Sequence, residues 1–346
     1  MRHLLNTLFV LSPEAYIALE NENVVIHKED VIAGRFPLHT LEQIAYFGYK
    51  GASPALMGAC AQRGICLSFF TPNGKFLARV CGVTHGNVLL RKKQYRIADD
   101  EVASCLVARN FVVGKILNAR SVIERAKRDH PMNLDLEKIK VVSRELLNAA
   151  NYAICCKDLN ILRGIEGEAA REYFSILNDL ILQNKTEFYF DGRVKRPPLD
   201  KVNAMLSFVY TLLTHDCASA LEGVGLDSYV GFMHRDRPGR SSLALDLMEE
   251  LRNIYADRFV LTLINNRVIT GKNFIQQESG AVLLTEAGRK SILTEWQNRK
   301  QDVITHPFLG EKIAWGLVPH VQALLLSRFL RDDFDAYPAF LWKCGD

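Results

Sequence analysis

Glu166 lies within GIEGEAAREYF, and His234, Asp246 and Glu249 follow within GFMHRDRPGRSSLALDLMEELR. Together they offer an imidazole and hard carboxylate oxygens without a thiolate, a donor set suited to Mg2+ or Mn2+ rather than to structural zinc. Such a metal in a basic chain points to phosphodiester chemistry. Asp246 and Glu249 are three apart in a helical pattern, so they share a face, beside the core stripe of Leu243, Leu247 and Leu251. A cation next to two carboxylates would relieve their mutual repulsion.

Each of these residues also has a plainer reading. Glu166 alone reads as a solvated carboxylate, and His234 as a partner of a helix end. The acidic pair alone reads as a solvated face partly neutralised by Arg252. Glu168 and Glu250 are near enough to be alternative ligands but sit on different helix faces. Gly164 and Gly167 bracket Glu166 in a helical pattern, and each costs about 1 kcal/mol of helix stability relative to alanine. Close approach of another backbone, of a nucleic-acid backbone, or tight helix packing would offset that cost.

The elements that carry these residues follow from periodicity. From Leu4 to Gly82, short β-branched and aromatic runs alternate with turn residues, so this part is mostly strands. One helix interrupts them, with Ser53 as N-cap, Pro54 at its first position and Gly64 past its end. TPNG at 71–74 reads as a hairpin turn. Beyond about Gly86 the apolar period becomes helical, over 88–129, 134–156, 157–182, 200–222, 242–256, 258–268 and 284–330. The expected fold class is therefore α+β: a β-strand-rich N-terminal domain over 1–86, then a larger all-α catalytic domain over 87–346. His234 precedes a Pro- and Gly-containing loop, after which Ser241 or Ser242 caps the helix of Asp246 and Glu249.

Composition limits the function classes. The chain has 346 residues, 48% of them hydrophobic, and a net charge of +4. That is enough apolar content for two cores, and too little charge for a protein that only coats nucleic acid. Eight cysteines contain no CxxC pair, which argues against a zinc ribbon or redox motif and favours a reducing cytoplasm. The short apolar run near the N-terminus is broken by Asn6 and Thr7 and reads as a strand rather than a signal peptide. No stretch approaches the roughly 20 apolar residues of a membrane span, so a cytoplasmic protein without a membrane partner is expected.

Basic residues flank the acidic ones. DGRVKRPPLD places Arg193, Lys195 and Arg196 before a helix carrying Asn203, Ser207 and Tyr210, while RDRPGR adds Arg235, Arg237 and Arg240 beside His234. These six could hold a DNA backbone without reading its sequence, or simply be solvated loops. RKKQYR at 91–96 is a DNA contact or a solubilising junction. Tyr210 reads as a packing residue with a polar tip, and Cys155 and Cys156 as buried helix thiols. Adjacent His215 and Asp216 face apart on a helix and receive no catalytic role.

GIEGEAAREYF, RPPLDKVNAMLSFVYTLL, GFMHRDRPGRSSLALDLMEELR and LTEAGRKSILTEW together resemble the CRISPR-associated endonuclease and integrase family, the first-numbered Cas protein of spacer acquisition. The resemblance runs through essentially the whole chain. It implies that Glu166, His234 and Glu249 are metal ligands, with Asp246 a second acidic position beside the metal; many relatives carry Asp where this chain has Glu249. It implies insertion of captured DNA into a CRISPR array by transesterification, with Mg2+ or Mn2+ as cofactor and double-stranded DNA as partner. It further implies a homodimer formed through the strand-rich domain, bridged by the small second Cas adaptation protein. The competing readings are a general metal-dependent nuclease on branched DNA or RNA, and a non-catalytic nucleic-acid-binding scaffold.

Overall fold

The computed structural model describes residues 6–29, 31–72, 76–80, 82, 88–194 and 197–342. The chain divides into two compact units. The first comprises 1–85, 284–302 and 314–317, and the second comprises 86–283, 303–313 and 318–346.

In the first unit the strands β1 (Thr7–Val10), β2 (Ala15–Glu20), β3 (Asn23–Lys28), β4 (Val31–Pro37) and β5 (Gln43–Tyr46) precede helix α1 (Pro54–Arg63), then β6 (Cys66–Phe70) and β7 (Phe76–Arg79). They form an antiparallel sheet, β2-β3-β4, and a mixed sheet in the order β1-β5-β6-β7. β5 and β6 run parallel, so the chain must cross over between them, and α1 does so. Its ends follow the sequence expectation: Ser53 Oγ accepts from Leu56 N, Pro54 opens the helix, and Gly64 takes the left-handed conformation at φ 67°. Leu8, Ile17, Val24, Leu38, Ile44, Leu56 and Leu67 contribute to one core. β6 and β7 pair antiparallel, while Asn73 and Gly74 of the expected turn lie outside the described residues. The ninth helix, α9 (Glu286–Gln301), belongs to this unit by its packing.

The second unit contains α2 (Val88–Ala98), α3 (Glu101–Asp129), α4 (Leu136–Cys155), α5 (Leu159–Ser175), α6 (Lys201–Gly223), α7 (Ser242–Leu251), α8 (Arg258–Asn265) and α10 (Val318–Leu330). The stretch 88–129 is two helices, not one. The break is Asp100, whose carboxylate accepts from Val102 N and Ala103 N and starts α3. Asp135, Asp158 and Asp200 cap α4, α5 and α6 in the same way. A π-helical turn, Arg252–Asp257, joins α7 to α8 without a break.

The stretch 284–330 is likewise not one helix: α9 stops at Gln301, a short ribbon follows, β10 (Val303–Thr305) with β11 (Lys312–Ala314), and α10 comes after it. Pro307 and a left-handed Gly310 (φ 69°) turn the chain there. A second ribbon pairs β8 (Phe274–Gln276) with β9 (Val282–Leu284). The architecture is thus strand-rich first and mostly helical after.

α3 is the central helix, packed by α4, α5 and α7. It is also the one helix among the described residues long and apolar enough to cross a membrane, which differs from the expectation that no stretch reaches that length. Its apolar residues, including Phe111, Val112, Ile116, Val122 and Ile123, are instead buried in the protein.

Candidate functional site

Asp246, on α7, is completely buried and points back at the loop before its own helix. Its Oδ2 accepts from Phe232 N at 2.6 Å and Met233 N at 2.9 Å, and its Oδ1 from His234 N at 3.0 Å. Oδ1 also lies 2.6 Å from His234 Nδ1. A carboxylate has only acceptors to offer, so Nδ1–H donates to it, and that bond fixes the ring and leaves Nε2 as the nitrogen available to a ligand. This is the carboxylate–histidine pairing that fixes imidazole ligands in metal sites. Gly231 makes the approach feasible: a Cβ there would stand 2.8 Å from Ser242 Cβ and 2.9 Å from Asp246 Oδ2. Ser241 occupies the N-cap position of α7, yet its side chain makes no capping bond; Asp246 organises the preceding loop instead.

Glu249 lies one helical turn along α7. Its Oε1 pairs with Arg252 Nη2 at 2.8 Å, and Lys115 Nζ of α3 lies 2.7 Å from its Oε2. The same ammonium pairs with Glu166 Oε1 of α5, so one lysine bridges the two glutamates. Glu249 Oε2 is nonetheless buried without a hydrogen bond, making the lysine contact an ion pair rather than an aligned bond. Burial opposes ionisation of Glu249, but Arg252, Lys115 and His234 together outweigh it and hold its carboxyl well below the usual range.

Glu166 of α5 and Glu249 of α7 are therefore brought together across Lys115, and His234 is tied to α7 through Asp246. They do not stand as a finished cage, since no group of three His, Cys, Asp or Glu among the described residues is placed to hold a metal. The residue types nevertheless fit a hard cation. A buried carboxylate oxygen lacks a hydrogen bond, an oriented imidazole keeps its second nitrogen, and an ammonium already sits where positive charge is favoured. Asp246 has no oxygen to spare for direct ligation. Glu168 pairs with Arg171 on the surface, and Glu250 turns away to accept from Tyr337, Gln322 and Phe340 N. Gly164 and Gly167 are exposed, and nothing lies within 4 Å of a Cβ at either position. Among the described residues nothing packs on them, and they lie on the solvent side of α5, whereas Glu166 is on the side turned to Lys115, with its side chain 20% exposed.

The family model described as CRISPR associated protein Cas1 matches residues 8–298. Two curated relatives match along their full length. CRISPR-associated endonuclease Cas1 1 of Chlorobaculum tepidum is 49% identical over 99% of this chain and 100% of its own. CRISPR-associated endonuclease Cas1 2 of Rhodospirillum rubrum is 46% identical with the same coverage. The chain belongs to the Cas1 family. With that membership goes the role of a nuclease and integrase in spacer acquisition. A Cas1 protein from Thermotoga maritima shares the fold at a TM-score of 0.81 and 20% identity, over 96% of this chain and 99% of that one. A casposase bound to an integration product does so at 0.84 and 22% identity, over 99% and 95%.

Within this Cas1-family fold the basic residues divide. Arg235 and Arg237 are exposed and Arg240 is half-buried, whereas Arg193 turns inward to Asn203 Oδ1 at 2.7 Å and Ser207 Oγ at 3.0 Å. Lys195 and Arg196 lie outside the described residues. Arg193 and Arg252 both stand over the ring of Tyr210, at 5.3 and 4.9 Å from its centroid. The Tyr210 hydroxyl donates to buried Asp257 at 2.5 Å, so Tyr210 is the packing residue with a polar tip that its sequence context suggests. Cys156 is buried, but Cys155 faces solvent at the last turn of α4. In RKKQYR, Gln94 is buried and grips Asp227 and Val230 of the loop leading to His234.

Sequence reasoning misses Lys115, Arg163 and Gln94. Arg163 Nε donates to Met233 O at 2.8 Å, bracing the His234 turn from α5. A usable signal exists for Lys115 alone: it interrupts the buried helical stripe Ala108, Phe111, Ala119, Val122.

Proposed function

We propose that Glu166, His234 and Glu249 hold a divalent cation, Mg2+ or Mn2+, and that the site joins captured DNA to a CRISPR repeat by phosphodiester transesterification. The observation that carries this reading is the pair Glu166 and Glu249 drawn to one ammonium, with Glu249 Oε2 buried without a hydrogen bond, one helical turn from the Asp246 that orients His234. The bound ion would supply Lewis acidity to the scissile phosphate and stabilise charge on its oxygens.

This chain's own residues do the rest. Asp246 fixes the imidazole, Arg252 holds Glu249, and Arg163 and Gln94 brace the turn that carries His234. Glu166, with its side chain 20% exposed, is the point at which a nucleic-acid backbone reaches the site. Arg235, Arg237 and Arg240, together with Lys195 and Arg196, contact phosphates. Arg193 acts indirectly, through Tyr210 and the 192–194 segment. The 3′ hydroxyl of the incoming strand, giving up its proton to solvent, attacks phosphorus at the repeat boundary, and the 3′ oxygen of the flanking target nucleotide leaves while the repeat keeps its 5′ oxygen on that phosphorus; with water as attacker the same site hydrolyses DNA.

Double-stranded DNA and Cas2 are the proposed partners, supported by family membership and by structural neighbours such as a Cas6-RT-Cas1–Cas2 complex, which has a TM-score of 0.81 and 22% identity over 99% of this chain and 36% of that one. We assign dimerisation to the strand-rich 1–86 and catalysis to 87–346, in the cytoplasm. The test is strand transfer into a CRISPR target with Cas2 present. Glu166→Gln, His234→Ala and Glu249→Gln should each reduce joining by about 100-fold or more while DNA binding persists. Joining unaffected by all three would leave a scaffold; hydrolysis without joining under every metal and partner condition would leave a general nuclease.

A further inference from the structure

Lys115 is a buried lysine, with its side chain 5% exposed. Its ammonium touches one oxygen of Glu166 and one of Glu249, and Arg252 neutralises the remaining oxygen of Glu249. The two carboxylates are thus matched by two cationic side chains. A divalent ion entering between Glu166 and Glu249 must displace the ammonium or lie against it, and it gains no net negative charge from the protein in return.

We propose that Lys115 is the internal counter-ion of Glu166 and Glu249, and that it makes divalent-metal binding depend on DNA. The inference rests on the ligand assignment proposed above. A phosphodiester brought to the partly exposed Glu166, whose side chain is 20% accessible, supplies the negative charge that the site lacks, and it offers the displaced ammonium a new acceptor. Metal therefore loads weakly on the free protein and firmly on its DNA complex. By linkage, metal tightens DNA by the same factor that DNA tightens metal. Lys115 acts as a positioning residue here: it holds Glu166 and Glu249 together until metal and DNA arrive, and it suppresses metal loading in their absence.

The experiment is a Mn2+ titration of the full chain, read from the EPR signal of free Mn2+. It is run with and without a duplex ending in 2′,3′-dideoxynucleotides, against a blank of the duplex alone. The wild type should bind Mn2+ at least about tenfold more tightly with the duplex, within the usual range of coupling. Lys115→Met should raise the DNA-free affinity by a similar factor and shrink the gain from DNA. Lys115→Gln, checked for native helical content, should do the same. Lys115 variants that bind Mn2+ no better than wild type without DNA would overturn the proposal. So would a wild type indifferent to the duplex, a result that needs no variant to fold.

Glu166→Gln and His234→Ala in the DNA complex separate the two levels. If neither lowers Mn2+ affinity, the ligand assignment fails; if both do and Lys115→Met changes nothing, only the role of Lys115 fails.

Discussion

Asp246 spends both oxygens inside the protein, on three backbone N–H groups and the His234 ring, so its contribution to chemistry passes through the histidine. Asp246→Asn places an amide N–H against backbone donors and loosens the imidazole. It should lower Mn2+ affinity of the DNA complex by about 10- to 100-fold, the usual effect of removing the partner of a ligating histidine. The same titration with Glu249→Gln should show the larger loss; equal or smaller loss would reverse the roles of the two acids. That Asp246 and Glu249 share a helix and differ in role was only half legible in the sequence. Their spacing shows the common face, but which acid is saturated depends on the 231–234 turn, and nothing in the spacing shows that turn folding back. Lys115 was hidden for a related reason: a lysine in a long helix is ordinarily solvated, and only its place in an apolar stripe betrays it.

The π-helical turn between α7 and α8 brings Arg252 and Asp257 to the same interior, around Tyr210. Burial raises the Asp257 carboxyl to about 6, against the lowering effects of the Tyr210 hydrogen bond and of Arg252, Lys115 and Arg193. The unfolded chain ionises Asp257 near 3.8 while the folded chain still holds the proton. Stability from this group is therefore full below about pH 4 and lost as pH rises to about 6. Asp257→Asn should remove that slope. In urea titrations wild type should lose roughly 3 kcal/mol relative to the variant between pH 4 and 6.5; parallel pH profiles would contradict this. Gly231 belongs to the same scale, because it sets how closely the 231–234 turn lies on α7. Gly231→Ala should destabilise the protein by about 1–3 kcal/mol and depress joining, seen as a lower urea midpoint together with reduced strand transfer. The starts of α4, α5 and α6 were legible to within a few residues from the apolar period, and Asp135, Asp158 and Asp200 cap them there; the start of α3 was not, because the apolar period runs on through Asp100 and only its side-chain cap marks the break. The π-helical turn was not, since its cause lies in buried partners distant in sequence.

Over the helical unit, the segment after α10 completes the core. Glu250 accepts from Tyr337 and Phe340 N, and Asn118 donates to Phe340 O and accepts from Trp342 N, so this segment is a packed strap over α3 and α7. Deleting 337–346 would leave buried Glu250 and Asn118 short of partners and should cost about 3 kcal/mol or more, measured as a lower urea midpoint of the helical signal. The strand-to-helix order of the chain was legible from the change in apolar period near Gly86; the assignment of 284–302 to the strand-rich unit was not, because it depends on packing at long sequence distance. The central claim concerns the metal. Anomalous diffraction from crystals of the protein bound to DNA and Mn2+ tests it most directly: the account predicts a Mn2+ peak in contact with Glu166, His234 and Glu249, with Asp246 behind the histidine and Lys115 turned away from the two glutamates. No peak at that site, or a peak ligated by Asp246 instead of Glu249, would contradict it.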